Sequence, residues 1–348
     1  MTYNLDISTG FKCNFRCSYC FEQKYDQAYT DVEPDDKVIN RTIEYIDYLK
    51  KKIFTPDDII SLTFYGGEPL LNLDLIEKIA IVHGSDRVKY SIASNGYLVK
   101  EKLDQILRIN ELSNNKLIFG FSYDFFLQDK NRKANTYQKI RDNIKLLYKL
   151  KIRTIVVACI PYGDLKYFDK VFFDVLELKR QFPRIDVVFN VDRSKTSKTD
   201  FNEEECIEGL TKVKNFLDTY GKNDILTYNN ACGTMDIRDT KCVYGHIYGG
   251  IDPYGNIYPA NNLIFYPKEY VKKCMYLGNI FEDFDVLTEK RTQLISSLNF
   301  NRPYECSVCE APCRVFPWST IKTDISEFNQ MPSEEQCRVH KFLHKYLG

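Results

Sequence analysis

The chain has 348 residues, of which 44% are hydrophobic, so it can fill a core in one large domain or in one large and one smaller domain. Its 48 basic residues balance its 48 acidic residues, which argues against a nucleic-acid-binding surface. No apolar run is long enough to span a bilayer, and no signal peptide is visible at the N-terminus. We therefore predict a cytoplasmic protein with no membrane partner, whose 12 cysteines serve as metal ligands and not as disulfides.

Strand-like and helix-like segments alternate through the first 200 residues of the sequence. The predicted strands are 3–9, 60–65, 88–93, 117–122, 153–159 and 185–191. The predicted helices between them are 35–51, 73–82, 98–112, 135–150 and 165–179. This alternation predicts an α/β fold with a parallel sheet covered by helices, arranged as a partial (β/α)6 TIM-like barrel. Such barrels place their active sites at the carboxyl ends of the strands.

A loop with three cysteines directly follows the first predicted strand. Cys13, Cys17 and Cys20 have the spacing C-x3-C-x2-C, and Tyr19 precedes the last of them. Three thiolates can hold three irons of a [4Fe–4S] cube and leave the fourth iron open to a ligand. A zinc site normally has four ligands in paired C-x2-C form, which this spacing does not supply. The alternative is three buried cysteines without a ligand.

This loop resembles the signature of the radical SAM superfamily, C-x3-C-x-aromatic-C. The resemblance implies that Cys13, Cys17 and Cys20 hold the cluster, that Tyr19 lies in the cofactor site, and that S-adenosylmethionine (SAM) chelates the open iron. One electron from the cluster, supplied in turn by a donor such as flavodoxin or ferredoxin, would cleave SAM to methionine and a 5′-deoxyadenosyl radical. The protein would position and shield that radical.

The segment Gly66-Gly67-Glu68-Pro69 follows the second predicted strand. At this place it matches the superfamily's GGE motif. Two glycines let a backbone approach a ligand closely. The resemblance implies that the carbonyl groups of this segment accept the ammonium group of SAM, assisted by Glu68.

Short polar residues end the next two predicted strands. Ser94 and Asn95 end the third strand, and Ser122 and Asp124 end the fourth. The resemblance implies hydrogen bonds from these side chains to the ribose and carboxylate of SAM, with Arg132 as a further carboxylate partner. The alternative for each is the capping of a turn, where Ser, Asn and Asp are common. The family often has Ser-x-Asp-Gly here, whereas this chain has phenylalanine in place of the glycine.

The pattern changes after residue 200. Residues 203–220 predict a bridging helix within the segment 201–228, with Cys206 in its apolar stripe as a core residue. Further cysteines follow, in the compact set Cys306, Cys309 and Cys313, with Cys337 later. Four thiolates form a closed set for a [4Fe–4S] cluster or for a zinc ion.

The segment 229–348 resembles the SPASM extension of many radical SAM enzymes, which usually carries two auxiliary clusters. Cys242 is followed by a glycine hairpin, but Ala260 stands where the family has cysteine. A cysteine expected after Cys313 is also missing, and both belong to the first auxiliary cluster in the family's pairing. Two remaining cysteines, Cys232 and Cys242, cannot hold a cube. The resemblance therefore implies one auxiliary [4Fe–4S] cluster, in a domain separate from the barrel at 1–200.

Enzymes with this layout mostly modify peptides or proteins. We therefore expect a maturase that abstracts hydrogen from a ribosomally made peptide and forms a thioether or a carbon–carbon crosslink. The alternatives are formylglycine formation, as in anaerobic sulfatase-maturing enzymes, and modification of a cofactor precursor. A non-enzymatic cysteine-rich metal or redox module would instead bind zinc and cleave no SAM. No catalytic base is identified, although Asp252 and Tyr254 are candidates.

Many peptide maturases carry an N-terminal domain that binds the leader of the substrate. Here the first predicted strand begins at residue 3. Leader recognition is therefore expected to use the barrel, the extension or a separate leader-binding protein.

Overall fold

The computed structural model describes residues 1–20, 22, 28–192, 202–220, 227–228, 247–259, 275–297, 342 and 346. Its ten strands are β1 (Thr2–Ser8), β2 (Ile59–Tyr65), β3 (Val88–Ser94), β4 (Ile118–Ser122), β5 (Arg153–Pro161), β6 (Asp186–Asp192), β7 (Thr227–Tyr228), β8 (Ile247–Ile251), β9 (Asn256–Tyr258) and β10 (Gly278–Asn279). They form one sheet with the order β10-β9-β8-β1-β2-β3-β4-β5-β6-β7. Strands β1 to β6 are all parallel, which confirms the predicted α/β barrel.

Helices connect the parallel strands. They are α1 (Asp36–Tyr48), α2 (Leu73–His83), α3 (Leu103–Leu112), α4 (Gln128–Asn131), α5 (Tyr137–Lys149), α6 (Phe168–Gln181), α7 (Glu203–Tyr220) and α8 (Phe284–Ser297). A π turn at Leu49–Ile53 continues α1, and short 3₁₀ turns occupy Pro69–Leu71, Phe125–Leu127 and Tyr162–Tyr167. Within the described residues, no helix has the length and apolar content to cross a membrane.

The core lies between the sheet and its helices. On β2, Leu62 and Phe64 are fully buried, and so are Ile46 of α1 and Ile76 of α2 in the same cluster. Cys206 of α7 also belongs to this cluster, as the sequence predicts for a core cysteine. Burial of an aliphatic side chain contributes about 1.5–3 kcal/mol, so this layer stabilises the barrel wall.

Two helices begin later than their apolar pattern predicts. Residues 98–102 form turns before α3, and a 3₁₀ turn from Tyr162 to Tyr167 precedes α6. Val99 and Leu165 in these turns are fully buried. Because turn residues can supply core side chains as well as helical ones do, the hydrophobic pattern alone does not mark where each helix begins.

The glycine hairpin of the predicted C-terminal extension extends the barrel sheet. β8 pairs in parallel with β1, and β9 and β10 add antiparallel strands beyond it. The hairpin at 247–258, which lies in the segment 229–348, shares one sheet with β1. Local sequence patterns do not encode this pairing, since it joins strands about 240 positions apart along the chain.

Candidate active site

The cysteine loop leaves the sheet at the carboxyl end of β1. The backbone N–H of Thr9 donates to the carbonyl of Tyr65 at 2.8 Å, which fixes the loop's start against β2. Cys13, Cys17 and Cys20 are half-buried, and none of them is in a disulfide. Burial raises the pKa of the Cys13 thiol to about 12 and that of Cys17 to about 11. Such thiols become thiolates when a bound cation compensates the cost of burying the charge.

In the part of the chain that the structure describes, no group of three or more His, Cys, Asp or Glu side chains converges on a single metal ion. An iron–sulfur cube needs a different arrangement of its ligands from that of a single metal ion. Each thiolate binds its own iron at a separate corner, so three cysteines on one loop suffice without meeting at one point.

The glycine-rich segment lies directly against the cysteine loop. The N–H of Gly67 donates to the carbonyl of Gly10, and the N–H of Glu68 donates to the carbonyl of Lys12, each at 2.9 Å. A Cβ on Gly66 would lie 2.4 Å from the Gly10 oxygen, and one on Gly67 would lie 2.1 Å from the Lys12 oxygen. Gly66 also has a φ of +136°, which favours glycine. The glycines therefore permit the close approach of these two loops.

Glu68 joins the glycine segment to the end of β3. Its carboxylate is 3% exposed and accepts hydrogen bonds from Ser94 Oγ at 2.6 Å, Leu70 N at 3.0 Å and Asn95 N at 2.8 Å. Burial raises the pKa of Glu68, and these three donors oppose the rise. Pro69 begins the buried 3₁₀ turn that follows. Ser94 Oγ also accepts from the Gly96 N–H at 2.8 Å, so this serine caps a turn.

A buried network lies beneath the other end of the cysteine loop. Asp124 is fully buried, and its carboxylate accepts from Tyr19 Oη and from the N–H of Cys159 at 2.9 Å. Arg132 Nε lies 3.0 Å from Asp124 Oδ2, and Arg132 Nη1 lies 3.8 Å from the Cys17 sulfur. Burial by itself lowers the pKa of Arg132, but the charges of Asp124, Tyr19, Cys17 and Cys159 together outweigh it and keep the pKa well above its usual value. The network attaches α4 and β5 to the cysteines.

Two buried donors beside the cysteine loop have no hydrogen-bond acceptor within the described residues. They are Asn14 Nδ2 and Arg132 Nε, whose close approach to Asp124 is an ion pair without hydrogen-bond alignment. The other end of the Asn14 side chain accepts from Asn95 Nδ2 at 2.7 Å. Buried donors without acceptors are uncommon in proteins and suit an anionic ligand. Sequence reasoning does not single out Asn14, because nothing in the loop's spacing distinguishes it.

On the concave face of the sheet, alternate strand residues are half-buried, while their neighbours pack under the helices. The half-buried positions include the polar residues Thr63, Ser91, Ser122, Cys159 and Asn190 and also the apolar residues Ile155 and Val157. Ser122 thus lies half-buried at the end of β4, in contrast to the buried Ser94. Cys159 is, after Asn14, a second residue of this region that the sequence analysis does not identify.

Carboxylates surround this face near β1. Asp6 pairs in register with Thr63 of β2, and burial raises its pKa to about 7, opposed by a hydrogen bond from the threonine. Burial and the charge of Glu68 together raise the pKa of Glu22 well above its usual value. Burial therefore favours the neutral, protonated forms of these two carboxyl groups near the cysteine loop.

The two candidate bases of the hairpin differ in accessibility. Asp252 is buried and accepts from the N–H groups of Tyr254 and Asn256 and from Asn256 Nδ2, at 2.8–2.9 Å. These bonds form the turn between β8 and β9. Tyr254 is 37% exposed, and its ring centroid lies 6.1 Å from that of Phe11 in the cysteine loop.

The remaining predicted ligands lie outside the described residues. They are Cys306, Cys309, Cys313 and Cys337; Cys232, Cys242 and Ala260, to which no ligand role is assigned, also lie outside the described residues. The auxiliary cluster and the domain division at residues 200 and 229 therefore stay predictions.

Comparison with known proteins finds a family model that matches part of the chain. Residues 7–174 match the family model of the Radical SAM superfamily. Among curated proteins, the chain is similar to a GTP 3′,8-cyclase of Helicobacter pylori (22% identity over 84% of this chain and 86% of that protein). It is also similar to the radical SAM cyclopropyl synthase TigE of Paramaledivibacter caminithermalis (26% identity over 58% of this chain and 44% of that protein).

Two solved structures share the fold. One is native anSMEcpe with bound AdoMet and Cp18Cys peptide, with a TM-score of 0.69, 20% identity, and coverage of 99% of this chain and 96% of that one. The other is Streptococcus suis SuiB bound to precursor peptide SuiA, with a TM-score of 0.63, 13% identity, and coverage of 96% and 76%. The superfamily match supports SAM and a [4Fe–4S] cluster as cofactors. Over residues 7–174, just under half of its length, the chain matches the radical SAM superfamily.

Proposed function

We propose that this protein is a radical SAM maturase that abstracts hydrogen from a peptide or protein substrate. The observation that carries the proposal is the cysteine loop itself. It is held against the carboxyl ends of β1 and β2 by the glycine segment, next to the half-buried residues on the concave face of the sheet. This is where parallel α/β barrels carry out their chemistry.

In this proposal, Cys13, Cys17 and Cys20 hold the cluster. When bound, the cluster and SAM supply the 5′-deoxyadenosyl radical. The buried donors on Asn14 and Arg132 suit the carboxylate of SAM, and the half-buried Ser122 and the carbonyl groups of Gly66 and Gly67 add polar contacts. This donor set fits the cofactor pair, since it offers soft thiolates for iron and hydrogen-bond donors for an anion.

Several of the predicted SAM residues bond to other residues of the protein and act by holding those residues in place. Glu68, Ser94 and Asn95 bond to one another and hold the glycine segment beside β3. Asp124 and Tyr19 hold Arg132. We propose that these residues support the SAM site without contacting SAM, while Ser122 faces the cofactor.

The carboxyl and hydroxyl groups near the cysteine loop support a peptide substrate. Burial favours the neutral, protonated forms of Asp6 and Glu22, which can donate hydrogen bonds to peptide carbonyl groups and supply no cation for a triphosphate. The bond formed in the product, a thioether or a carbon–carbon crosslink, is part of the proposal, with formylglycine formation as the alternative. The auxiliary cluster at Cys306, Cys309, Cys313 and Cys337 is proposed on the sequence resemblance.

A nucleotide substrate is the second candidate. Similarity to the GTP 3′,8-cyclase of Helicobacter pylori extends over 84% of this chain, which supports modification of a cofactor precursor. The two candidates differ in charge, because GTP requires cations around its phosphates.

The test begins with anaerobic reconstitution, reduction with dithionite and addition of SAM. We expect 5′-deoxyadenosine and about eight irons per chain if both clusters form, or about four if only the first does. A variant with Cys13, Cys17 and Cys20 replaced by alanine is the control, and it should lose about four irons and all SAM cleavage. Cleavage that survives in this variant would refute the assigned cluster site.

The two candidate substrates are then tested in separate incubations. The protein is incubated with SAM and either GTP or peptides encoded beside its gene, and the products are analysed by mass spectrometry. A peptide that loses two hydrogen atoms, with 5′-deoxyadenosine formed in equal amount, supports crosslinking. Consumption of GTP with equal deoxyadenosine would replace the peptide proposal by the nucleotide one.

A further inference from the structure

Arg132 is a buried cation in direct contact with a proposed cluster ligand. Its side chain is 8% exposed, and Nη1 donates to the Cys17 sulfur at 3.8 Å. Its guanidinium carbon also lies 5.3 Å from the centre of the Tyr19 ring. A guanidinium remains charged even when buried, so its charge acts on the sulfur continuously.

The position of Arg132 is fixed by buried groups that are themselves hydrogen-bonded to other residues. Asp124 Oδ2 pairs with Arg132 Nε, while Asp124 Oδ1 accepts from the N–H of Cys159 in β5. The N–H of Asp124 in turn donates to Gln128 Oε1 at 3.0 Å, and Gln128 Nε2 donates to Thr136 Oγ1 at 3.1 Å. Both Asp124 and Gln128 are completely buried. Arg132 therefore cannot move away from Cys17 without breaking a buried network.

A donor at a cluster sulfur changes the energetics of electron uptake. Reduction adds a negative charge that spreads over the cluster and its thiolates. Hydrogen bonds and nearby positive charge stabilise the reduced form and so raise the reduction potential. The low dielectric constant of a buried site strengthens this effect.

We propose that Arg132 is a positioning residue that raises the reduction potential of the cluster by donating to the Cys17 thiolate, and that Asp124 and Tyr19 hold it there. This inference rests on the proposed cluster at Cys13, Cys17 and Cys20. It assigns Arg132 a role that operates before SAM binds, in addition to any contact with the SAM carboxylate.

The experiment is a reductive titration of the full-length, reconstituted protein, monitored by electron paramagnetic resonance in the absence of SAM. The variants are R132M, which removes the charge, and R132K, which keeps the charge but lacks the guanidinium geometry that bridges Asp124 and Cys17. K145M is the control, since it removes an exposed cation of α5 that is not part of this network. The signal of the variant with the three cysteines replaced by alanine is subtracted, so that only the cluster at the cysteine loop contributes.

We expect the midpoint potential of R132M to shift to a more negative value, that of R132K to fall between R132M and wild type, and that of K145M to stay unchanged. If R132M fails to take up iron, R132K alone decides, and its potential must be more negative than that of wild type. An unchanged potential in an iron-loaded Arg132 variant overturns the inference, even if SAM binding is lost, because Arg132 would then be a SAM ligand only. Wild-type protein that takes up no iron at these cysteines would instead overturn the proposed function.

Discussion

Two serines at the ends of neighbouring strands have different surroundings. Ser94 is 1% exposed and donates to Glu68 while it accepts from Gly96. Ser122 is half-buried on the concave face. A buried hydroxyl with two buried partners contributes to stability, whereas an open one is available to a ligand.

The two serines should therefore respond differently to removal of the hydroxyl. S94A leaves the Gly96 N–H without its acceptor, and we expect it to lower the free energy of unfolding by about 1–3 kcal/mol. S122A should change stability by less than about 0.5 kcal/mol and weaken SAM binding. Chemical denaturation of both variants measures the change in stability. Equilibrium binding of SAM to S122A measures the change in affinity. Equal destabilisation by both variants would contradict the assignment.

The sequence predicted which polar residues gather at this site but not what each one bonds to. Ser94, Asn95, Ser122 and Asp124 all lie at strand ends, as the alternation predicted. Whether a hydroxyl faces a ligand or a buried carboxylate depends on the neighbouring strand. Glu68 meets Ser94 only after β2 and β3 pair, and local sequence does not report that contact.

At the scale of elements, the glycine segment and the cysteine loop form a unit held by two backbone hydrogen bonds. The sequence motif predicted that the glycines let the backbone approach a ligand closely, and this stays a prediction. The structure shows a second close approach that the motif did not predict, to the loop at Gly10–Lys12, which depends on the pairing of β1 with β2.

We expect G67A to displace the cysteine loop. An added Cβ would lie 2.1 Å from the Lys12 oxygen, a distance that backbone atoms cannot accept without moving. The variant should hold less iron after reconstitution than wild type. G209A in α7 is the control, because its nearest neighbour is the Asp169 carboxylate at 3.3 Å and alanine favours a helix. Full iron uptake by G67A would show that the two loops tolerate separation.

At the scale of the whole molecule, an arginine of the barrel attaches it to the C-terminal segment. Arg41 of α1 donates to the carbonyl groups of Ile280 and Glu282 at 2.9 and 3.1 Å and stacks on Phe284. Within the C-terminal segment, Arg291 of α8 donates to the carbonyl of Tyr248 in β8 at 2.8 Å, and β8 in turn pairs with β1. The described part of the extension is therefore fixed to the barrel and not merely tethered to it.

R41A should loosen this attachment. It removes two charge-assisted hydrogen bonds and a cation–π contact, and we expect a loss of about 1–3 kcal/mol with faster amide exchange in β9 and β10. R108A serves as the control, since the exposed Arg108–Glu77 pair should contribute about 1 kcal/mol or less. Hydrogen exchange in R41A that matches R108A at these strands would refute the attachment.

The parallel pairing of β1 with β8 also sets an order of events during synthesis. β1 occupies residues 2–8, and its second neighbour ends at residue 251. Contacts between such distant segments form late, because a long loop must close first. As the chain leaves the ribosome, β1 keeps one open edge until more than two thirds of the protein has been made. The cysteine loop begins directly after that strand, so we expect iron to be inserted near the end of folding, into a nearly complete chain.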